Sequence, residues 1–218
     1  MKYNAVIFDL DGTLLDTIGD LGAAVNYALG LHGLPLHAMG EFPAMVGHGT
    51  RNLTKTAIPA EYAENEELIS AVLKDFTAYY TDNIDVFTRP YEGIADLLSE
   101  LQARGAALAV ASNKFQAGVE KLMGRFFPDI KWASLCGNTP GAALKPDPSV
   151  VEGILRQMSE NSNYLHPVLV GDSGTDIQTA LSSGIPSIGV TWGYRPESSL
   201  AGAGLVARSV GELAGYLL

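Results

Sequence analysis

Apolar residues along the chain fall into two alternating patterns. Short runs with little polar alternation occur at Asn4 to Phe8, Ala106 to Ala111, Trp132 to Cys136, Pro167 to Val170 and Ile185 to Val190. Such runs predict strands buried on both faces, as in a parallel sheet. Between them apolar positions recur every three or four residues: Ile94, Leu97, Leu98 and Leu101, with Gly105 as a stop; Val119, Leu122, Met123 and Phe126; and Val150, Val151, Ile154, Leu155 and Met158. That spacing predicts amphipathic helices. Strands alternating with helices imply right-handed crossovers, so the expected fold class is α/β, a doubly wound parallel sheet covered on both faces. Ligands of such sheets bind beyond the carboxyl ends of the strands. Candidate chemistry is therefore read from the residues that follow each run.

One connection is too long for this scheme. More than ninety residues separate the first run from the second, and a helix over 92–104 already supplies the crossover. Structureless loops inside compact domains rarely exceed about 15 residues, and this segment has helical periodicity of its own. Ile18, Leu21, Val25, Ala28 and Leu29 mark one helix; Leu68, Ile69, Val72, Leu73, Phe76, Tyr79 and Tyr80 mark another. The expected division is a catalytic core of residues 1–15 and 88–218, with an inserted helical cap of residues 16–87. Linkers near residues 14–17 and 86–91 join the two on the catalytic side, where the cap can act as a lid.

Composition narrows the function. With 24 acidic and 14 basic residues the formal net charge is −10, which disfavours nucleic acid and anionic membranes as partners. An anionic substrate would need cations concentrated at one site or supplied by a metal. Cys136 is the single cysteine, as expected of a reducing compartment, and it reads as a small buried apolar residue. The run ending at Phe8 is too short for a signal peptide or a spanning helix, so a cytoplasmic protein is expected.

Asp9 and Asp11 follow the first run, spaced so that both carboxylates can approach one point. Asp-Gly is also a common turn pair. As chemistry, Asp9 can attack phosphorus while Asp11 protonates the leaving oxygen and later deprotonates water. Ser112, Asn113 and Lys114 follow the second run, where a hydroxyl, an amide and backbone N–H groups can receive phosphoryl oxygens or simply cap the next helix. Lys145, pointing inward, would neutralise phosphate and hold Asp9 as its anion. Asp172 and Asp176 follow the fourth run and bring carboxylates to the same sheet edge. Oxygen ligands without clustered His or Cys suit Mg²⁺, and the four histidines, His32, His37, His48 and His166, show no zinc spacing. Together these residues supply what phosphoryl transfer requires.

In motif order the whole chain resembles the haloacid dehalogenase superfamily, and within it the phosphoglycolate phosphatase-like group with a helical cap. The resemblance implies a Rossmann-like core, an aspartyl-phosphate intermediate and Mg²⁺ as cofactor. Asp9-Leu10-Asp11-Gly12-Thr13 resembles the first motif, with Asp9 as nucleophile and metal ligand and Asp11 as acid/base that also binds metal through its carbonyl. Gly12 and Thr13 are counted with the phosphate-binding residues, beside Ser112, Asn113 and Lys145. Gly171-Asp172 with Asp176 resembles the fourth motif, Asp172 binding metal directly and Asp176 supporting it. The run Gly189 to Tyr194 is similar to phosphoglycolate phosphatase and pyrophosphatase-like members, and the loop Gly47 to Arg51 resembles one that meets the leaving group, making His48 and Arg51 candidate cap contacts. The function implied is hydrolysis of a small phosphorylated metabolite such as 2-phosphoglycolate. The alternatives are a pyrophosphatase-like member, a phosphomutase of the β-phosphoglucomutase type and a non-catalytic binding protein on the same fold.

Overall fold

The computed structural model describes residues 2–159 and 165–218. The chain enters through β1 (Ala5–Phe8) and β2 (Leu15–Asp16), then runs through α1 (Ile18–Leu31), α2 (Phe42–Met45), α3 (Thr50–Ala57) and α4 (Glu66–Asp82). It returns by β3 (Arg89–Pro90) to α5 (Ile94–Ala103), β4 (Ala107–Phe115), α6 (Gln116–Phe126) and β5 (Trp132–Asn138). The remainder is α7 (Ser149–Ser159), β6 (Pro167–Gly171), α8 (Gly174–Ser182), β7 (Ser187–Val190), β8 (Leu205–Ala207) and α9 (Val210–Leu217).

Six strands form one parallel sheet in the order β5-β4-β1-β6-β7-β8. From β1 the chain winds outward through β4 and β5, then crosses back to β6, β7 and β8 on the other side. The switch point thus lies at β1, where Asp9 follows the strand, and this is where open α/β sheets bind ligands.

The uniform apolarity of the strands has a direct cause. Successive side chains of β1 point to opposite faces: Ala5 and Ile7 pack with Val151, Ile154 and Met158 of α7, whereas Val6 and Phe8 join the larger cluster that includes α5 and α6. Both faces are dry, so neither tolerates polar residues.

The segment between β2 and β3 is helical. In α1 the residues Leu21, Ala24, Val25, Ala28 and Leu29 are buried; in α4 the residues Ile69, Val72, Phe76 and Tyr80 are buried, following the helical spacing. The Asn65 side chain accepts from Leu68 N at 3.0 Å and starts α4. The apolar cluster of this segment is continuous with the sheet's larger cluster, and Tyr80 of α4 meets Phe115 of β4 edge to face at 6.1 Å. The two connecting strands pair antiparallel, Leu15 with Pro90 and Asp16 with Arg89. Beside them the buried Asp20 carboxylate accepts from Phe87 N, Thr88 N and the Thr88 hydroxyl at 2.7–3.1 Å, tying the two connections together.

Three local expectations change. Ser112, Asn113 and Lys114 lie inside β4 rather than after it, with a register irregularity against β5 between Ala111 and Phe115. Neither Ser112 nor Asn113 caps α6, whose N-cap is Phe115. Cys136 is half-buried rather than sealed in the core. No helix among the described residues is long and apolar enough to cross a membrane.

Candidate active site

Asp9 continues the ladder of β1, its N–H donating to Val170 O at 2.8 Å, and the chain then turns tightly, with Leu14 N donating to Leu10 O at 3.0 Å. Gly12 sits in this turn at φ +90°, and a Cβ there would strike the Asp172 carboxylate. Gly193 packs against the same carboxylate from the loop after β7. Asp172 therefore occupies a slot that only two glycines leave open.

Carboxylate oxygens of Asp9, Asp172 and Asp176 lie within 4.8 Å of one another, and all three residues are buried. One ammonium serves this cluster: Lys145 Nζ donates to Asp9 Oδ1 at 2.7 Å and to Asp176 Oδ1 at 2.6 Å. The other Asp176 oxygen accepts from Ser173 N and Oγ at the start of α8. Asp172 Oδ2 accepts from Tyr194 N at 2.7 Å. Among the described residues, Asp9 Oδ2 and Asp172 Oδ1 receive no hydrogen bond from another residue.

Crowding sets the electrostatics. Burial pushes the Asp9 carboxyl well above the usual range; Lys145 opposes this, while Asp176 and Asp172 add to it. Asp172 is pushed up to about 6, first by burial and then by Asp176, against the Tyr194 N–H bond and Lys145. Burial alone would lower the Lys145 ammonium, but Asp176 and Asp9 outweigh it and hold the proton above the ordinary lysine range. These shifts have one source: three desolvated carboxylates surround a single cation. Two unbonded hard oxygens amid excess negative charge fit a divalent cation such as Mg²⁺, with Asp9 and Asp172 as ligands and Asp176 in support.

Asp11 belongs to a second group. Its Oδ1 accepts from Lys114 Nζ at 2.8 Å and from the Thr17 hydroxyl at 2.6 Å. The Lys114 ammonium also lies 4.7 Å from the Tyr80 ring centroid, so α4 helps position it. The Tyr194 hydroxyl accepts from Thr17 N at 2.6 Å and donates to Asp16 Oδ1 at 3.1 Å. Burial and the Asp11 charge keep this phenol in its neutral form.

Asp9, Asp11, Ser112, Asn113, Lys145, Asp172 and Asp176 line one pocket. The other candidates fall outside it. Gly12 lies behind Asp172, and Thr13 is fully buried with its hydroxyl unpartnered among the described residues. His48 is exposed, and the guanidinium of the exposed Arg51 pairs with Glu66. Asn113 is in place, but its amide is already engaged. Oδ1 accepts from Lys145 N at 2.8 Å, and Nδ2 donates to Lys145 O at 3.1 Å and Gly47 O at 2.9 Å. Its side chain therefore positions Lys145 and the 47–49 loop instead of offering phosphate a free donor.

Four residues gained importance only in three dimensions: Lys114, Thr17, Tyr194 and Arg195. Lys114 had a signal, being the cation in the run that also carries Ser112 and Asn113. Tyr194 ended a run noted only for its likeness to other sequences. Thr17 and Arg195 had none.

A family model of haloacid dehalogenase-like hydrolases matches residues 6–190. A phosphoglycolate phosphatase of Mesorhizobium japonicum is 34% identical over 199 residues, covering 89% of this chain and 85% of the relative. One from Agrobacterium fabrum is 35% identical over 194 residues, covering 86% and 80%. Among solved structures, a candidate phosphoglycolate phosphatase from Lactobacillus delbrueckii subsp. bulgaricus superposes with a TM-score of 0.88 at 30% identity, covering 100% of this chain and 99% of that one.

Proposed function

The chain belongs to the haloacid dehalogenase-like hydrolases, and from that membership we propose that it is a magnesium-dependent phosphatase of small phosphate monoesters, with Asp9 as nucleophile. The observation that carries this reading is the buried cluster of Asp9, Asp172 and Asp176 around Lys145 at the sheet's switch point.

In this reading the Asp9 carboxylate attacks phosphorus through one oxygen, and the Lys145 bond to Oδ1 fixes its orientation. Asp11, anchored through Oδ1 by Lys114 and Thr17, keeps Oδ2 for proton exchange with the leaving oxygen. The ester's alcohol departs protonated, leaving an aspartyl phosphate on Asp9. Asp11 then takes a proton from water as it attacks phosphorus, so phosphate leaves and Asp9 is regenerated. Ser112 lines the pocket with its hydroxyl; its Oγ accepts from Lys114 N at 3.1 Å, so its proton can be donated to a phosphoryl oxygen. Mg²⁺, held by Asp9 and Asp172 with the Asp11 carbonyl, would supply neutralisation of the phosphoryl charge.

Relatives named phosphoglycolate phosphatase make 2-phosphoglycolate the first substrate to try. The test is phosphate release from p-nitrophenyl phosphate and from 2-phosphoglycolate. Turnover should require Mg²⁺, stop with EDTA and be abolished in Asp9→Asn. In ¹⁸O-labelled water, a hydrolase places label in the released phosphate, whereas a mutase regenerates a phosphorylated organic product.

A further inference from the structure

Three cations line the active-site pocket, and two have carboxylate partners. Lys145 is held between Asp9 and Asp176, and Lys114 is paired with Asp11. The third, Arg195, has no carboxylate partner among the described residues, although it lies in the loop after β7 and lines the same pocket. Its Nη1 donates to Ala44 O at 3.3 Å and its Nη2 to Val46 O at 2.5 Å. These carbonyls close the C-terminal end of α2, where a cation is favoured. That contact uses two of five guanidinium N–H donors. Three remain for something else.

The rest of the pocket gives them a purpose. The inserted helical segment contributes only Leu21, Val46, Gly47, Gly49, Thr50 and Leu53 to the lining, and none of these is charged. The part of a substrate beyond the transferred phosphoryl group therefore meets a neutral wall, with Arg195 as its one cation. Lys145 and Lys114 are already occupied by carboxylates, which leaves Arg195 as the lining cation open to an anionic tail. A carboxylate matches the planar fork of a guanidinium, which can bind it through two parallel N–H···O bonds.

We infer that Arg195 is a specificity-determining residue that receives a carboxylate on the leaving-group side of a short phosphate monoester. The inference rests on the phosphatase reading above and adds to it the side chain that reads the ester's far end.

Two esters of similar size test this: 2-phosphoglycolate, which ends in a carboxylate, and 2-hydroxyethyl phosphate, which ends in a neutral hydroxyl. With Mg²⁺ present, kcat/KM for phosphate release should favour the carboxylate ester in the unmodified protein. Arg195→Ala should lower kcat/KM for 2-phosphoglycolate by about 10- to 100-fold while changing that for the neutral ester less than about threefold. Arg195→Lys, retaining charge without the fork, should recover part of the loss. An equal fall for both esters would make Arg195 only a clasp on the 42–49 segment and overturn the assignment. So would a preference for the carboxylate ester that survives in both variants, or its absence in the unmodified protein. Release from the neutral ester reports the phosphatase reading separately. If the unmodified protein releases phosphate from neither ester, that reading fails and the assignment falls with it.

Discussion

Replacing Lys145 by methionine removes the one ammonium that serves three buried carboxylates. Lys145 Nζ lies 2.7 Å from Asp9 Oδ1 and 2.6 Å from Asp176 Oδ1, and the residue is 5% exposed, so solvent does little to screen these pairs. Methionine fills much of the volume, which isolates the loss of charge. Removing one partner of a buried pair costs about 3–5 kcal/mol, and a chain of this size loses roughly 2–4 °C in Tm per kcal/mol. In chelator at about pH 8, Lys145→Met should therefore melt roughly 6–20 °C below the unmodified protein. The sign of the pH dependence follows from linkage. Asp9 and Asp172 already have raised folded-state values, and losing the cation raises them further. A carboxyl raised on folding contributes stability at low pH that is lost as pH rises through its folded value. Each additional proton retained by the folded variant recovers about 1.4 kcal/mol per pH unit on acidification. The deficit should thus narrow as pH falls from about 8 to about 6. Thermal melts of both proteins across that range provide the measurement. A deficit below about 1 kcal/mol at pH 8, or one that does not change with pH, would refute the reasoning.

Two further outcomes follow from the same geometry. Burial and Asp176 push the Asp172 carboxyl up to about 6; its contribution is present below the unfolded value and lost as pH rises through the folded one, whereas Mg²⁺ requires the ionised form. Millimolar Mg²⁺ should therefore raise Tm more at about pH 7.5 than at about pH 5, and a larger shift at the lower pH would contradict the cluster as the metal site. Asp20→Ala leaves Phe87 N, Thr88 N and the Thr88 hydroxyl without their buried acceptor. A loss of about 2–4 kcal/mol in urea unfolding is expected, with hydrogen exchange at residues 86–88 rising more than in β1; uniform acceleration would count against a local tie.

The sheet was legible because β1, β6, β7 and the first half of β4 are largely dry on both faces and appear as mainly apolar runs, while the half-buried β5 keeps a shorter apolar pattern interrupted by Ser134. β8 has only Leu205–Ala207 at a sheet edge, and the β2–β3 ladder has two residues per strand. Neither is long enough to establish a period. Helix α3 buries Leu53, Thr54 and Ala57 in an otherwise polar stretch, a weak pattern that loop glycines on its N-terminal side obscure further. Asp9, Asp11, Lys145, Asp172 and Asp176 were legible because strand ends converge at the switch point. What an amide or a cation does there depends on its partners. Asn113 has the chemistry of a phosphate donor, but the backbone of Lys145 and Gly47 uses it. Arg51 stands in the suggestive loop and turns to Glu66, while Arg195, more than 140 positions away in sequence, reaches the pocket instead. Such exchanges depend on distances that spacing along the chain does not encode.

Covalent trapping tests the role of Asp9 most directly. Protein mixed with Mg²⁺ and a ³²P-labelled monoester, then quenched in acid within a single turnover, should carry an acyl phosphate that hydroxylamine removes. Peptide mapping after borohydride reduction should locate the modification at Asp9, and Asp9→Asn should carry no label and release no phosphate. Steady phosphate release with no labelled protein at any quench time, or label on another residue, would contradict Asp9 as the nucleophile.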